Sequence, residues 1–104
     1  MPLFAVWASD RPGALPERLR VREAHRARLR APAPHAVTVV LAGPLADDRG
    51  MNGTLLVVQA DHLDAVRAFV DRDPYVAAGV YEHVDIRPFT CGLGPLKDLE
   101  DRSR

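Results

Sequence analysis

The stretch "RLRVREAHRARL", residues 18–29, carries the side chains with the clearest chemical potential. At 3.6 residues per turn, a helix would place Arg18, Arg22, His25 and Leu29 in one narrow stripe. This stripe lies close to the face that a helix normally buries, because two leucines fall beside it. One interpretation is structural, with arginines that extend over apolar surface and a satisfied, partly buried histidine. The other is a cleft between helix and sheet in which the histidine transfers protons and an arginine holds an anion.

A second polar group, Asp73, stands at the end of the next predicted helix. Pro74 follows it, and a residue before proline is disfavoured in the helical region, so the helix should stop there. An aspartate in this position commonly accepts hydrogen bonds from the backbone of an Asx turn. The local sequence by itself therefore favours a structural role for Asp73.

The segment "VYEHVDIRPF", residues 80–89, predicts a strand with two unlike faces. Alternation places an apolar set centred on Val84 and Ile86 on one face, where helices would cover it. The opposite face receives Tyr81, His83, Asp85, Arg87 and Phe89. This mixture of aromatic and charged groups fits a symmetric interface better than a metal site, since His83 and Asp85 have no third ligand nearby. No metal site is predicted.

The order of the elements is the main evidence on the fold. Apolar runs predict strands, helical spacing and caps predict helices, and Pro, Asp, Asn and Gly mark loops. The expected elements are a strand at 3–9, a helix at 15–31, strands at 35–43 and 54–60 separated by a loop at 44–53, a helix capped by Asp61 that ends before Asp73, and a strand at 80–89. This β-α-β-β-α-β order is that of the ferredoxin-like α+β sandwich, in which helices cover one face of the sheet.

Composition limits the classes of partner and compartment. The chain has 104 residues, which suits one domain, and 47% of them are hydrophobic. Fourteen basic and fourteen acidic residues leave a formal net charge of zero, so no binding to nucleic acid or to a membrane is expected. A single cysteine, Cys91, permits no internal disulfide, and a cytoplasmic location is expected. The tail at 91–104, which follows a domain at 1–90, is expected to be flexible or dependent on a partner.

Four motifs along the chain carry a resemblance to a known family. They are "RLRVREAHRARL" at 18–29, "AGPL" at 42–45, "GT" at 53–54 and, most specifically, "DPYVAAGVYEHVDIRPF" at 73–89. On these motifs the chain resembles the YciI family, whose members carry a YCII-related domain, within the dimeric α+β barrel superfamily. The resemblance covers residues 1–90 in order. Two features depart from the family's pattern: the glycine-rich loop before the third strand is short, and Thr54 stands where serine is common.

The resemblance implies a homodimer whose free sheet faces meet in a barrel. The polar row of the last strand would then be interface or barrel-lining groups, namely Tyr81, His83, Asp85 and Arg87. This arrangement would give the uncovered face of the sheet a partner.

The resemblance also implies an active cleft built around His25 and Asp73. The aspartate would lie within hydrogen-bond reach and orient the imidazole, or hold its proton, as in a general acid–base pair. The expected contacts with a small-molecule ligand are Arg18, Arg22, Thr54 and Tyr75. The threonine would hydrogen-bond a ligand oxygen, and the two arginines would offset a carboxylate or an enolate.

Family knowledge gives the expected type of reaction. Some members remove chloride from chlorinated hydroxyhydroquinones, and neighbours in the superfamily isomerise muconolactones or oxidise quinols without a cofactor. Each reaction moves a proton beside a carbonyl or enol, which suits a His/Asp pair. The resemblance therefore implies a lyase or isomerase that acts on a small cyclic or aromatic acid, with no metal and no cofactor. Two alternatives stay open: a non-catalytic dimer that binds a ligand or regulates, and a cofactor-independent monooxygenase.

Overall fold

A computed structural model describes residues 2–97 of the chain. Its elements are β1 (Leu3–Asp10), α1 (Leu15–Arg30), β2 (Val37–Asp47), β3 (Gly50–Ala60), α2 (Leu63–Asp71), α3 (Pro74–Ala77) and β4 (Tyr81–Phe89). The predicted order is confirmed, with one addition. The single-turn helix α3 is too short to show a helical period, so sequence patterning could not find it.

The four strands form one antiparallel sheet in the order β2-β3-β1-β4, and the helices cover one of its faces. Helix α2 buries Val66, Phe69 and Val70 against strand residues such as Val6 and Val58, both of which are 1% exposed or less. This packing is the ferredoxin-like α+β sandwich that the sequence predicts.

Helix α1 covers the same face of the sheet by different means. Pro16 in its first turn, Glu17 beside it, and Arg28 and Arg30 in its last turn suit the two ends of a helix and its dipole. The residues that α1 buries are the two polar ones Arg18 and His25. A helix that buries an arginine and a histidine needs partners for them in the sheet or in a neighbouring helix.

The loop predicted at 44–53 is wrong, because most of it belongs to a hairpin. Strand β2 continues to Asp47 and β3 begins at Gly50, so the turn has two residues, and the Arg49 N–H donates to Asp47 Oδ1 at 2.9 Å. Proline is tolerated within β2 because that strand lies at the edge of the sheet. A Cβ at Gly53 would stand 2.6 Å from the Ala8 carbonyl oxygen, so the close approach of β3 to β1 requires glycine there.

The start of α2 also differs from the prediction. Its N-cap is His62 rather than Asp61, and no side chain hydrogen-bonds the first turn. The helix therefore depends on its buried apolar face more than on a cap.

The uncovered face of the sheet, called here the outer face, carries Ala5, Trp7, Ser9, His83, Asp85 and Arg87, which line a shared depression of about 440 Å³. Tyr81 is not among them, so its predicted place on this face is wrong. Ser9 pairs with His83, but Asp10 pairs with Tyr81, so Glu82 is an extra residue in β4. This bulge turns the Tyr81 ring toward the helices.

Beyond β4, the first residues of the predicted tail pack on one side of the outer face. Cys91 is buried against Leu3 and Val57, and Leu96 packs beside them. Residues 98–104 of that tail lie outside the described part of the chain. Between residues 2 and 97, no helix has the length and apolar character needed to cross a bilayer.

Candidate active site

The structure brings His25 and Asp73 together beneath α1. Nδ1 of His25 lies 2.9 Å from Oδ1 and 2.8 Å from Oδ2 of Asp73, and both side chains are almost fully buried. Asp73 is also the N-cap of α3, where its Oδ1 accepts a hydrogen bond from the Tyr75 N–H at 2.8 Å. The same carboxylate therefore has the structural role of a cap and makes the contact with His25 that the acid–base interpretation requires. The cap fixes the direction in which this carboxylate meets the imidazole.

This contact determines the tautomer of the histidine. A carboxylate only accepts hydrogen bonds, so Nδ1 carries a proton and donates it to Asp73. Within residues 2–97, Nε2 of His25 has no hydrogen-bond partner, and the residue lines a cavity of about 330 Å³. Nε2 is therefore the nitrogen that can exchange a proton with a bound molecule.

Tyr75 supports the ring of His25 from α3. The two rings are stacked, with 4.0 Å between their centroids, and Tyr75 is 1% exposed. The Arg18 guanidinium lies 4.4 Å from the centroid of the same tyrosine ring. Burial raises the pKa of Tyr75, so its phenol stays neutral at physiological pH. The ring serves as a rigid apolar wall between the histidine and the arginine.

Arg18 is bound within the protein, although it lines the same cavity. Its Nε and one Nη donate to the two oxygens of Asp10 at 2.7 and 2.9 Å, and it also donates to Thr54 Oγ1 at 2.8 Å. Burial lowers the pKa of Arg18, but hydrogen bonding and charge attraction from Asp10 outweigh that effect, and its pKa stands above the ordinary value. Arg18 can therefore act on a ligand both through its own place in the cavity wall and through its hydrogen bond to Thr54.

Thr54 connects this ion pair to the cavity, which it lines. Its Oγ1 accepts hydrogen bonds from Arg18 and from the Tyr81 hydroxyl, the latter at 2.9 Å. With both lone pairs engaged, its own proton is available for an oxygen atom of a bound molecule. Burial raises the pKa of Tyr81, which keeps that phenol a neutral donor.

Arg22 occupies the cavity wall one turn after Arg18 and is only partly exposed. Within residues 2–97 it has no ion-pair partner, unlike Arg18. Its guanidinium is therefore free to bind an anion.

The interpretation of the sequence missed three residues of this site. Asp10 and Tyr81 reach it from strand ends: the sequence marked Asp10 only as the end of a strand, and alternation assigned Tyr81 to the other face of the sheet. Arg28 is the third: its Nη1 lies 4.0 Å from Asp73 Oδ2, and its Cζ lies 4.2 Å from the centroid of the Phe69 ring. Burial lowers the pKa of Arg28, an effect that Asp73 partly offsets. In the described part of the chain, no group of three His, Cys, Asp or Glu side chains is placed to hold a metal ion.

Comparisons with known proteins agree with the family resemblance. The family model described as the YCII-related domain matches residues 2–90. Protein YciI of Escherichia coli O6:H1 is 39% identical over 94 residues, which cover 84% of this chain and 95% of that protein. An uncharacterized protein of Haemophilus influenzae is 36% identical over 92 residues, or 83% of this chain and 94% of its own length.

Two solved structures place the fold among known ones. The 5-chloro-2-hydroxyhydroquinone dehydrochlorinase of Burkholderia phenoliruptrix AC1100, in complex with 2,5-dihydroxybenzoquinone, has a TM-score of 0.74 and 31% identity over 86% of this chain and 95% of that chain. A dimeric protein of unknown function and ferredoxin-like fold from Bacteroides fragilis has a TM-score of 0.53 and 21% identity over 84% of this chain and 92% of that one. The second similarity shows the fold alone.

Proposed function

The chain belongs to the family of YCII-related domains, and on that premise we propose that it is a cofactor-free lyase or isomerase with His25 and Asp73 as its acid–base pair. Its substrate is a small cyclic or aromatic acid. The observation that carries this proposal is the buried contact of 2.8 Å between His25 Nδ1 and Asp73, which leaves Nε2 at the cavity. The similarity to a dehydrochlorinase at 31% identity supports the lyase form of the reaction.

The proton step uses the free nitrogen of the histidine. A C–H or O–H bond beside a carbonyl or enol breaks, its proton passes to Nε2 of His25, and the electron pair moves into the conjugated system. Asp73 stabilises the imidazolium that forms, because it already accepts the Nδ1 proton. In an isomerisation the proton returns at another carbon. In an elimination from a chlorinated hydroquinone, the ring carbon that bears chlorine first gains a proton from solvent while one phenol loses its proton and becomes a carbonyl. A second phenolic proton then passes to Nε2, its electron pair moves through the ring, chloride departs with the pair of the C–Cl bond, and the proton on Nε2 returns to solvent.

Two other groups act on the charge that develops. The Thr54 hydroxyl donates to the oxygen that becomes negative, since its lone pairs are held by Arg18 and Tyr81. Arg22 binds the carboxylate of the substrate through its unpaired guanidinium. Tyr75 is 1% exposed and lies between the stacked His25 ring and the Arg18 guanidinium, so it supports the histidine and does not contact the ring of the substrate.

The active form is a homodimer in which two outer faces meet. Trp7 is 52% exposed at the centre of this face, and a large aromatic side chain in that position is typical of protein interfaces. Sedimentation at micromolar concentration should give the dimer for the wild type and a larger monomer fraction for Trp7→Glu. A monomeric wild type would overturn this part of the proposal.

Turnover of two probes under anaerobic conditions tests the reaction. We expect chloride release from 5-chloro-2-hydroxyhydroquinone, or exchange of carbon-bound protons with D₂O in muconolactone, and we expect His25→Gln to abolish either one. His62→Gln is the matched control, at an exposed histidine that lines neither cavity and lies outside the outer face. Wild-type rates in His25→Gln would exclude the assigned base. Oxygen consumption with a quinol would favour a monooxygenase, and thermal stabilisation by both probes without turnover would favour a binding dimer.

A further inference from the structure

Helix α1 carries a row of cations along the cavity. Arg18, Arg22, Arg26 and Arg30 recur every fourth residue and all line the cavity beside His25. No carboxylate belongs to that lining, although the whole chain has as many acidic as basic residues. The local excess of positive charge gives the cavity a strong preference for anions.

The four arginines differ in how their charge is used. Asp10 neutralises the buried Arg18, and Arg26 pairs with the exposed Glu23 at 3.2 Å. Within residues 2–97, neither Arg22 nor Arg30 has an ion pair or a hydrogen bond from its side chain. Two unpaired guanidinium groups therefore stand at separate points of one cavity wall.

A second cavity lies next to the first at Arg30. It measures about 620 Å³, shares the wall residues Leu29, Arg30 and Ala42 with the first and lies between α1 and the edge strand β2. Its lining includes apolar side chains such as Val37 and Val39, and again no carboxylate. Arg30 therefore belongs to the wall between two adjacent cavities.

The spacing of the unpaired arginines sets a length. Arg22 and Arg30 are eight residues apart on one helix, which is about 12 Å along its axis. An acid of a single ring holds its carboxylate next to the ring, so with that one carboxylate at Arg22 it leaves the charge of Arg30 unmatched. We infer that the ligand is an elongated dianion, with its reactive part and first acidic group at His25 and Arg22, and a second carboxylate or phosphate at Arg30. This inference rests on the proposed function and narrows its substrate class.

A cation in the last turn of a helix also has a structural use, since it interacts favourably with the helix dipole. If that were its only role, Arg30→Gln would lower stability and leave the preference for ligand length unchanged. If Arg30 binds the second acidic group, Arg30→Gln would remove that preference.

Binding of simple carboxylates at low ionic strength distinguishes these two roles of Arg30. The probes are succinate, adipate, suberate and sebacate, with decanoate as the monocarboxylate of the same length as sebacate, and the measurement is calorimetric titration of the wild-type protein. We expect sebacate to bind about twofold to fivefold more tightly than decanoate, as an added ion pair to an exposed arginine allows. Affinity should rise from succinate to sebacate, and the advantage should shrink in high salt.

Arg30→Gln should remove the advantage of sebacate over decanoate. The matched control is Arg20→Gln, which removes an exposed arginine that pairs with Glu17 and lies outside both cavities. Equal affinities for sebacate and decanoate in the wild type would overturn the inference. So would a melting temperature that falls in Arg30→Gln while the preference for sebacate persists. The titrations measure binding and do not depend on catalysis. Equal affinities for sebacate and decanoate would therefore overturn this inference without affecting the test of turnover by His25. Absence of turnover would overturn the proposed function, and the preference for ligand length could still be measured.

Discussion

The two faces of the sheet each carry an Arg–Asp pair, and their settings differ sharply. Arg18 and Asp10, beneath α1, approach to 2.7 Å with side chains that are 2% and 3% exposed. Arg87 and Asp85, on the outer face, approach to 3.0 Å with side chains that are 77% and 41% exposed. The two pairs have similar chemistry and similar distances, but their interaction energies should differ, because water screens the exposed pair and not the buried one. Burial, more than residue type, decides which polar contacts of this protein are shielded from water.

The largest effect is expected where burial and proton transfer coincide, at Asp73. Asp73→Asn replaces an acceptor with an amide that can turn its NH₂ toward Nδ1, which favours the tautomer with the proton on Nε2. We expect turnover to fall by about a hundredfold to ten-thousandfold, the range for loss of a general acid–base function. Nitrogen NMR of the imidazole should show the proton on Nδ1 in the wild type and a changed tautomer in the variant. Asp85→Asn is the control on the outer face, compared at a concentration where sedimentation gives the variant the same association state as the wild type. An equal loss of turnover in that variant would end the distinction between the faces.

The second effect concerns stability and the buried pair. Asp10→Asn leaves the Arg18 cation buried without its counter-ion, so the free energy of unfolding should fall by about 3–5 kcal/mol. Replacing both members, in Asp10→Leu with Arg18→Met, should cost less than the single change, because no uncompensated charge remains. Urea denaturation of Asp10→Asn and of the double variant measures the difference in the free energy of unfolding. If Asp10→Asn lowers the free energy of unfolding by no more than the loss of an exposed ion pair would, then water reaches this site.

The third effect tests Thr54 as the junction between the ion pair and the cavity. Thr54→Val leaves Arg18 and the Tyr81 hydroxyl each without one acceptor, which should lower stability by about 1–3 kcal/mol. Thr54→Ser retains the hydroxyl and should keep both stability and ligand affinity close to the wild type. If the serine variant loses as much as the valine variant, then the methyl group and not the hydroxyl is what the site requires.

Helices α1 and α2 show how far the sequence could predict this arrangement. Val66 and Val70 of α2 recur at apolar helical spacing and are buried as that pattern predicts. The polar stripe of α1 left two interpretations open, because a period shows which side chains share a face but not what opposes them. The opposing groups, Asp10 and Asp73, lie 8 and 48 residues from their partners on α1. Such long-range pairs depend on tertiary packing, and family resemblance identified only the second.

The same limit explains the errors on strands. Alternation predicts the faces of β4 correctly from His83 onward, but a single extra residue, Glu82, moves Tyr81 to the other face. Likewise, Pro44 and the glycines near it resemble a loop, although an edge strand accommodates them. Bulges and edges are properties of strand pairing, which local composition does not encode.

Tyr75 and Tyr81 are the two tyrosines of the chain, so the absorbance of phenolate reports on these two side chains alone. Burial raises the pKa of both phenols above the ordinary value near 10, so the folded protein holds their protons more tightly than the unfolded one. The stability that this gives is complete below about pH 10 and is lost as the pH rises toward the folded-state pKa values. Absorbance of phenolate should therefore rise at higher pH in the native protein than in urea. Coincident curves would show that neither ring is shielded from water.

The smallest effect is expected on the outer face. A double-mutant cycle with Asp85→Asn and Arg87→Gln should give a coupling energy of about 0–1 kcal/mol, because both side chains are largely in water. The cycle has to be measured by denaturation at a protein concentration where sedimentation shows monomers, since association would bury this face. At concentrations that favour the dimer, the coupling should grow as water leaves the pair, and added salt should then screen it less. A coupling above about 2 kcal/mol in the monomer would place this pair in the same class as Arg18 and Asp10, and exposure would no longer explain the difference between the two faces.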